Sequence, residues 1–306
     1  MAVKHFRSAK PLESGAHVAL IAPAGPLQKP EDLPRAQENT RLLGWEPIVG
    51  SHASDRVGYL AGSDRDRLND INRALRDPKI DAIWCLRGGY WMMRILSGID
   101  YDAMSRTPKV IIGYSDVTAL HAAVQRKCRL VTYHGPTARE PMTDMSRDSL
   151  RRAIVEQTDS CGVAPNAREI NAGVAEGRLV GGNLAVLTSL CGTPFAPDLS
   201  DGILILEDIN EPVYRIDRML QQLKLAGAFN GCRAIVFGEC VKCPDDAGGG
   251  GRAFDEVLGE IAHSLGVPCL AGIPVGHIAE QWTIPLGAMA TIDTAKRSIS
   301  VNSYTS

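Results

Sequence analysis

Residues 109–120 read Lys-Val-Ile-Ile-Gly-Tyr-Ser-Asp-Val-Thr-Ala-Leu. The run 110–113 is apolar without polar alternation, the pattern of a short strand covered on both faces. From Val117 to Lys127 the apolar residues take helical spacing, and Ser115 stands at the junction. A strand that passes directly into a helix is the repeating unit of a parallel α/β sheet, and the same alternation extends in both directions. Upstream it predicts strands at 17–22, 45–49 and 80–86, with helices at 33–43, closing at Gly44, and from Ser63 or Asp64 to about Asp77. It also predicts a helical pattern at 90–96 upstream and, downstream, a strand at 130–133 followed by a helical pattern at 146–157.

Periodicity is lost over 158–171, where Gly, Pro and Asn gather, so a linker is expected there. A second unit starts near Ala172, with strands at 177–180, 203–207 and 234–239 and helices at 183–190, 214–225 and 254–265. Strands near 268–271, 288–292 and 298–301 finish it, and 245–251, with four consecutive glycines, reads as a flexible surface loop. The expected fold is α/β in two domains: a Rossmann-like, mostly parallel sheet in 1–165 and a smaller α/β domain in 172–306. The site is expected in the cleft between them.

Composition narrows the function. A length of 306 residues suits two domains at about 150 residues each. Lys and Arg total 33 against 35 Asp and Glu, and aromatics make up 5%, so neither a basic field nor stacking platforms favour nucleic acid as a partner. No apolar stretch approaches the roughly 20 residues of a membrane helix, and residues 1–15 lack a signal-peptide core. A cytoplasmic chain with no membrane partner is therefore expected. Its eight cysteines lie mostly in apolar runs, as reduced thiols do, and Cys240-Val-Lys-Cys243 lacks the second pair of ligands that a zinc site needs.

The chemistry-bearing residues gather at predicted strand ends. Ser115 has the context of a nucleophile elbow, although Val117 replaces the second glycine of G-x-S-x-G; its alternative role is helix N-cap. Arg87-Gly-Gly89-Tyr90 ends another strand, and backbone amides of Gly89 and Asp116 could together bind an oxyanion. The base would be His134, before Gly135-Pro136, or His277, after Gly276; spacing leaves both open. Adjacent acids Glu207 and Asp208 close a strand, with alternation sending one toward the cleft and the other to solvent. No G-x-G-x-x-G occurs, which weakens a dinucleotide reading.

Seven ordered blocks, Ile21-Ala-Pro-Ala-Gly-Pro26, Arg87-Gly-Gly-Tyr90, Gly113-Tyr-Ser-Asp116, His134-Gly-Pro136, Gly181-Gly-Asn-Leu184, Leu206-Glu-Asp208 and Gly276-His277, resemble the LD-carboxypeptidase family. The resemblance spans nearly the whole chain. It implies a metal-independent serine peptidase, without cofactor, that releases terminal D-alanine from murein tetrapeptides in cell-wall recycling. It also implies a homodimer. By the same resemblance Ser115 is the nucleophile, His277 the base and Glu207 the acid that orients it, with Gly89 and Asp116 as oxyanion donors. Arg87, Tyr90, His134, Asn183 and Trp282 are expected to contact substrate, and Arg87, Arg178 and Arg215 are the candidates for the terminal carboxylate. Trp91 stands where family members often have a small residue. Two rival functions are a microcin-type peptidyl-nucleotide amidase and a catalytically silent binder of cell-wall peptides.

Overall fold

In the computed structural model, which describes residues 6–245, 251–302 and 304, the apolar runs of the first half become β1 (His17–Ile21), β2 (Glu46–Val49), β3 (Ala82–Cys85), β4 (Val110–Gly113) and β5 (Thr132–His134). They lie in the order β2-β1-β3-β4-β5, all parallel. Side chains alternate between two cores: Ile83, Cys85 and Ile111 enter one, Trp84, Leu86, Val110 and Ile112 the other. Double-sided burial is why β1, β3 and β4 read as continuous apolar runs, whereas the edge strand β2 is largely exposed. The connections carry α1 (Asp32–Leu42), α2 (Asp64–Arg76), α3 (Tyr101–Arg106) and α4 (Thr118–Cys128), and α5 (Asp144–Arg151) follows β5. Ser63 starts α2 with a reciprocal cap, accepting from the Asp66 amide while Asp66 accepts from its own.

The second sheet has eight strands against six in the first. It comprises β6 (Gly162–Val163), β7 (Arg168–Asn171), β8 (Val174–Asn183), β9 (Gly202–Ile209), β10 (Ala234–Val241), β11 (Cys269–Gly276), β13 (Met289–Asp293) and β14 (Ser298–Val301), in the order β6-β14-β13-β8-β9-β10-β11-β7. Its centre, β8 to β11, is parallel, and the flanking pairs are antiparallel. The strand between β11 and β13, β12 (Ile284–Leu286), leaves this sheet and pairs antiparallel with β5 at the edge of the first. Helices α6 (Leu184–Ser189), α7 (Val213–Leu225) and α8 (Phe254–Leu265) bury Leu187, Leu220 and Leu258 in one core over this sheet.

Three expectations need correction. The segment 158–171 contains β6 and β7, short and largely polar edge strands whose pairing leaves no apolar period to read. Helical pattern at 90–96 folds as a 3-10 segment, Met92–Gly98, and 146–157 spans α5 and a π turn, Arg152–Glu156. Strand β12 went unforeseen because its proline argues against strand and its three residues are too few to show alternation. Most of the expected glycine-rich loop at 245–251 lies outside the described residues. Among the described residues no helix is long and apolar enough to cross a membrane.

Candidate active site

In a parallel sheet the carboxyl ends of all strands share one rim. Here both sheets present such rims to one cleft of about 490 Å³. Gly88 and Gly89 follow β3, Ser115 and Asp116 follow β4, and Thr137 to Glu140 follow β5. The second sheet contributes Asn183 from the end of β8, Asp208 from β9 and His277 from just beyond β11.

Ser115 has φ +62°, the left-handed region that a serine enters only under constraint. The extended Tyr114 before it and a 3-10 turn leading into α4 after it make the chain reverse at the serine. Close approach explains Gly88: a Cβ there would stand 2.8 Å from Ser115 Cβ and 3.0 Å from its Oγ. The Gly88 carbonyl accepts from the Gly25 amide at 2.8 Å. In a trans peptide the following N–H points the opposite way, so the Gly89 amide is directed away from Gly25.

His277 Nδ1 lies 2.8 Å from Glu207 Oε2. Glu207 is fully buried, and Gly276, at φ +118°, lets the chain pass close beside its carboxylate. A carboxylate only accepts, so Nδ1 carries the proton and neutral His277 keeps Nε2 free. Burial disfavours protonation of His277, but the Glu207 hydrogen bond and the charges of Glu207, Glu140 and Asp208 outweigh it and raise the imidazole pKa above its usual 6.5. The Tyr114 ring packs edge-on against His277, with centroids 4.9 Å apart, and its hydroxyl donates to Glu140 Oε1 at 2.6 Å.

The neighbouring carboxylates hold backbone. Asp116 Oδ2 accepts from the Met92 amide at 2.7 Å, tying the serine turn to the segment after Gly89, and burial pushes its pKa up to about 6. Asp208 accepts from the amides of Ala185 and Ile209 and from Asn183 Nδ2, and burial again pushes its pKa to about 6. Asp208 is thus not the solvent-facing acid that alternation suggested: it is 3% exposed, because the first turn of α6 needs an acceptor.

Two family models match this chain, one described as the LD-carboxypeptidase N-terminal domain over residues 18–135 and the other as the C-terminal domain over 176–292. The chain belongs to the LD-carboxypeptidase family. Among relatives of this LD-carboxypeptidase family member, a probable murein peptide carboxypeptidase of Bacillus subtilis is 37% identical, covering 94% of this chain and 92% of its own. The murein tetrapeptide carboxypeptidase of Pseudomonas aeruginosa is 32% identical over 90% of this chain and 92% of its own. The structure of MccF in complex with glutamyl sulfamoyl guanosine superimposes with a TM-score of 0.89 at 27% identity, covering 97% and 99% of the two chains.

Of the residues expected at the site, Ser115, Asp116, Gly89, Arg87, Tyr90, Asn183 and His277 line the cleft, and Glu207 supports His277 from behind. His134 and Trp282 do not line it. His134 is fully buried with neither ring nitrogen hydrogen-bonded, packs edge-on against Tyr114, and is held neutral by burial, its pKa lowered to about 3. Trp282 is 3% exposed in the core beneath the second sheet. Asn183 caps α6 with its side chain as well as facing the cleft. Arg178 stacks on Phe6 and donates to the Asp198 and Ser200 carbonyls, while Arg215 is an exposed neighbour of Tyr214 on α7. Sequence reasoning missed Tyr114, Arg139 and Glu140; the last two stand in the loop after β5, on the rim that parallel topology marks out. The cysteine pair at 240 and 243 gains no third ligand among the described residues, where the sole three-residue group at ligating distance is His52, Asp55 and Asp66.

Proposed function

We propose that this chain is a serine LD-carboxypeptidase that removes terminal D-alanine from murein tetrapeptides. The observation that carries the reading is the 2.8 Å His277–Glu207 pair facing the cleft opposite a serine held in a left-handed turn. Ser115 Oγ attacks the carbonyl of the L-centre while His277 Nε2 takes its proton. The amides of Gly89 and Asp116 receive the oxyanion. His277 then delivers its proton to the departing D-alanine amine, leaving an acyl-serine that water hydrolyses by the same route in reverse. Glu207 holds the imidazole tautomer and stabilises the imidazolium formed in each half. The proposed chemistry calls on no metal or cofactor, and the setting proposed with it, on the family resemblance, is cytoplasmic recycling of wall peptides by a homodimer.

A second reading is hydrolysis of a peptidyl-nucleotide toxin. It is supported by the likeness to MccF, whose structure holds an aminoacyl sulfamoyl nucleoside, and by Tyr90 and Trp91, 61% and 49% exposed at the cleft, as surfaces for a base. The deciding experiment is mass spectrometry of L-Ala-D-Glu-meso-diaminopimelate-D-Ala incubated with wild type and Ser115→Ala, with and without EDTA. Loss of one alanine by wild type alone, indifferent to EDTA, is the expected result. An intact tetrapeptide, with cleavage of a glutamyl sulfamoyl nucleoside instead, would replace the first reading by the second.

A further inference from the structure

A carboxypeptidase must hold the free carboxylate of its leaving residue, and that carboxylate lies one residue from the attacked carbonyl. A planar guanidinium matches it with two parallel hydrogen bonds. Among the arginines, Arg87 and Arg139 line the cleft, whereas Arg178 and Arg215 are engaged elsewhere.

Arg87 directly precedes the Gly88–Gly89 turn beneath Ser115. Its Nη1 donates to the Pro26 carbonyl at 2.7 Å and lies 3.4 Å from where a Gly25 Cβ would be, while Gly25 itself donates to Gly88. The guanidinium thus packs beside Gly25, which in turn contacts the Gly88 turn against Ser115. Arg139 arrives from the loop after β5 with 21% of its side chain exposed. Its Nε is buried without a partner, and its Nη1 stands 3.6 Å from Asp32 Oδ2, beyond hydrogen-bond length. That Asp32 oxygen already accepts from the amides of Gln28 and Lys29 at 2.9 and 3.1 Å. Glu140, the other acid near Arg139, accepts from the Tyr114 hydroxyl. Both arginines line the same cleft, and burial, followed by the charge of Arg139, lowers the Arg87 pKa. Two like charges converge at one end of a cleft, and the acids beside them are already hydrogen-bonded.

We propose that Arg87 and Arg139 form the receptor for the terminal α-carboxylate, and that this pair restricts the enzyme to chain ends. The inference rests on the serine carboxypeptidase reading of the same cleft, and Arg139, which among the described residues donates no side-chain hydrogen bond and has only a 3.6 Å ion pair with Asp32, is its principal member.

The test compares the tetrapeptide acid with its C-terminal carboxamide. Wild type is expected to prefer the acid by about 10²-fold in kcat/KM, the scale of a lost charged hydrogen-bond pair. Arg139→Gln is expected to erase most of that preference, slowing the acid about 10²-fold and the amide less than threefold. Equal slowing of both substrates, or an acid preference that survives the substitution, would overturn the proposal. If Arg139→Gln does not fold, Arg139→Lys, which keeps the charge and loses the fork, must still lose about tenfold on the acid alone. Binding of the two peptides to Ser115→Ala, measured by calorimetry, separates the two readings. Acid-selective, Arg139-dependent binding to Ser115→Ala, with wild type hydrolysing neither peptide, keeps the receptor and refutes the serine mechanism. Equal hydrolysis of acid and amide by wild type keeps the mechanism and refutes the receptor.

Discussion

Substituting Gly88 by alanine should damage catalysis while leaving the fold standing. The added Cβ would meet Ser115 Cβ at 2.8 Å, Oγ at 3.0 Å and the Tyr114 carbonyl at 3.1 Å. Against the 3.4 Å at which ordinary contact begins, the shortfall to Ser115 Cβ is about 0.6 Å. Neither side yields easily. The Gly88 carbonyl is fixed by Gly25, and the serine sits in a left-handed turn anchored by β4 on one side and α4 on the other. The relief therefore falls on the serine position. A misplacement of about 1 Å at a reacting group can cost about 10²-fold, so a shift of half that size should lower kcat/KM between about tenfold and 10²-fold. Overpacking of this kind destabilises by about 1–3 kcal/mol, which a two-domain protein survives.

The assay is D-alanine release from the tetrapeptide, with urea unfolding in parallel. The control is Gly259→Ala in α8, where a Cβ meets nothing closer than 3.9 Å, and which should gain up to about 1 kcal/mol of stability with unchanged turnover. Wild-type turnover in folded Gly88→Ala would show that Gly88 does not set the serine position, and the account of the elbow would fail.

The remaining predictions concern charge. In the proposed mechanism neutral His277 is the active form, and its pKa is raised, so kcat/KM should fall on acidification with a midpoint above 6.5. Glu207→Gln removes the largest of the influences that raise it, leaving those of Glu140 and Asp208, so the midpoint should move down while the plateau falls about 10⁴-fold; a pH–rate profile with an unmoved midpoint would remove Glu207 from its role. His121 and His134 are buried neutral, with pKa values lowered to about 4 and about 3. The unfolded chain takes up their protons first, so each should subtract about 1.4 kcal/mol of stability per pH unit as pH falls below 6.5, in urea titrations at pH 7 and 5. His134→Leu should flatten that slope, and an unchanged slope would contradict its neutral burial. Asp116→Ala strips the Met92 amide of its acceptor and should cost about 1–3 kcal/mol, with turnover falling as the segment after Gly89 loosens; thermal melts and kinetics on one preparation check both.

Much of the first sheet was legible because its central strands β1, β3 and β4 are buried on both faces and run apolar to their ends, where loops begin. The same feature located Ser115, Gly89 and Glu207 at strand ends. What could not be read is what depends on partners far along the chain. Strand β12 is three residues whose meaning comes from β5, some 150 positions earlier, and β6 and β7 acquire strand form only by closing the edges of another sheet. His134 and His277 were equivalent on spacing, both before or after glycine at a strand end. The structure distinguishes them by burial and by hydrogen bonding: one is enclosed without a hydrogen-bond partner, the other is bonded to a buried carboxylate and faces the cleft.

That difference also explains how the site is assembled. Tyr114 packs against both His134 and His277, at 5.8 and 4.9 Å, so the residue preceding the serine links the buried histidine of the first sheet to the half-buried one of the second. Its hydroxyl is fixed by Glu140, which stands beside Arg139 at the cationic end of the cleft. The serine turn, the base and the carboxylate end of the cleft thus share one side chain. Shortening Tyr114 to leucine should disturb His277 and the Arg139 loop together, raising KM and lowering kcat, whereas Tyr114→Phe loses only the hydroxyl contact to Glu140. If Tyr114→Phe behaves as wild type and Tyr114→Leu loses kcat alone, the ring acts on the base and has no part in holding the carboxylate end.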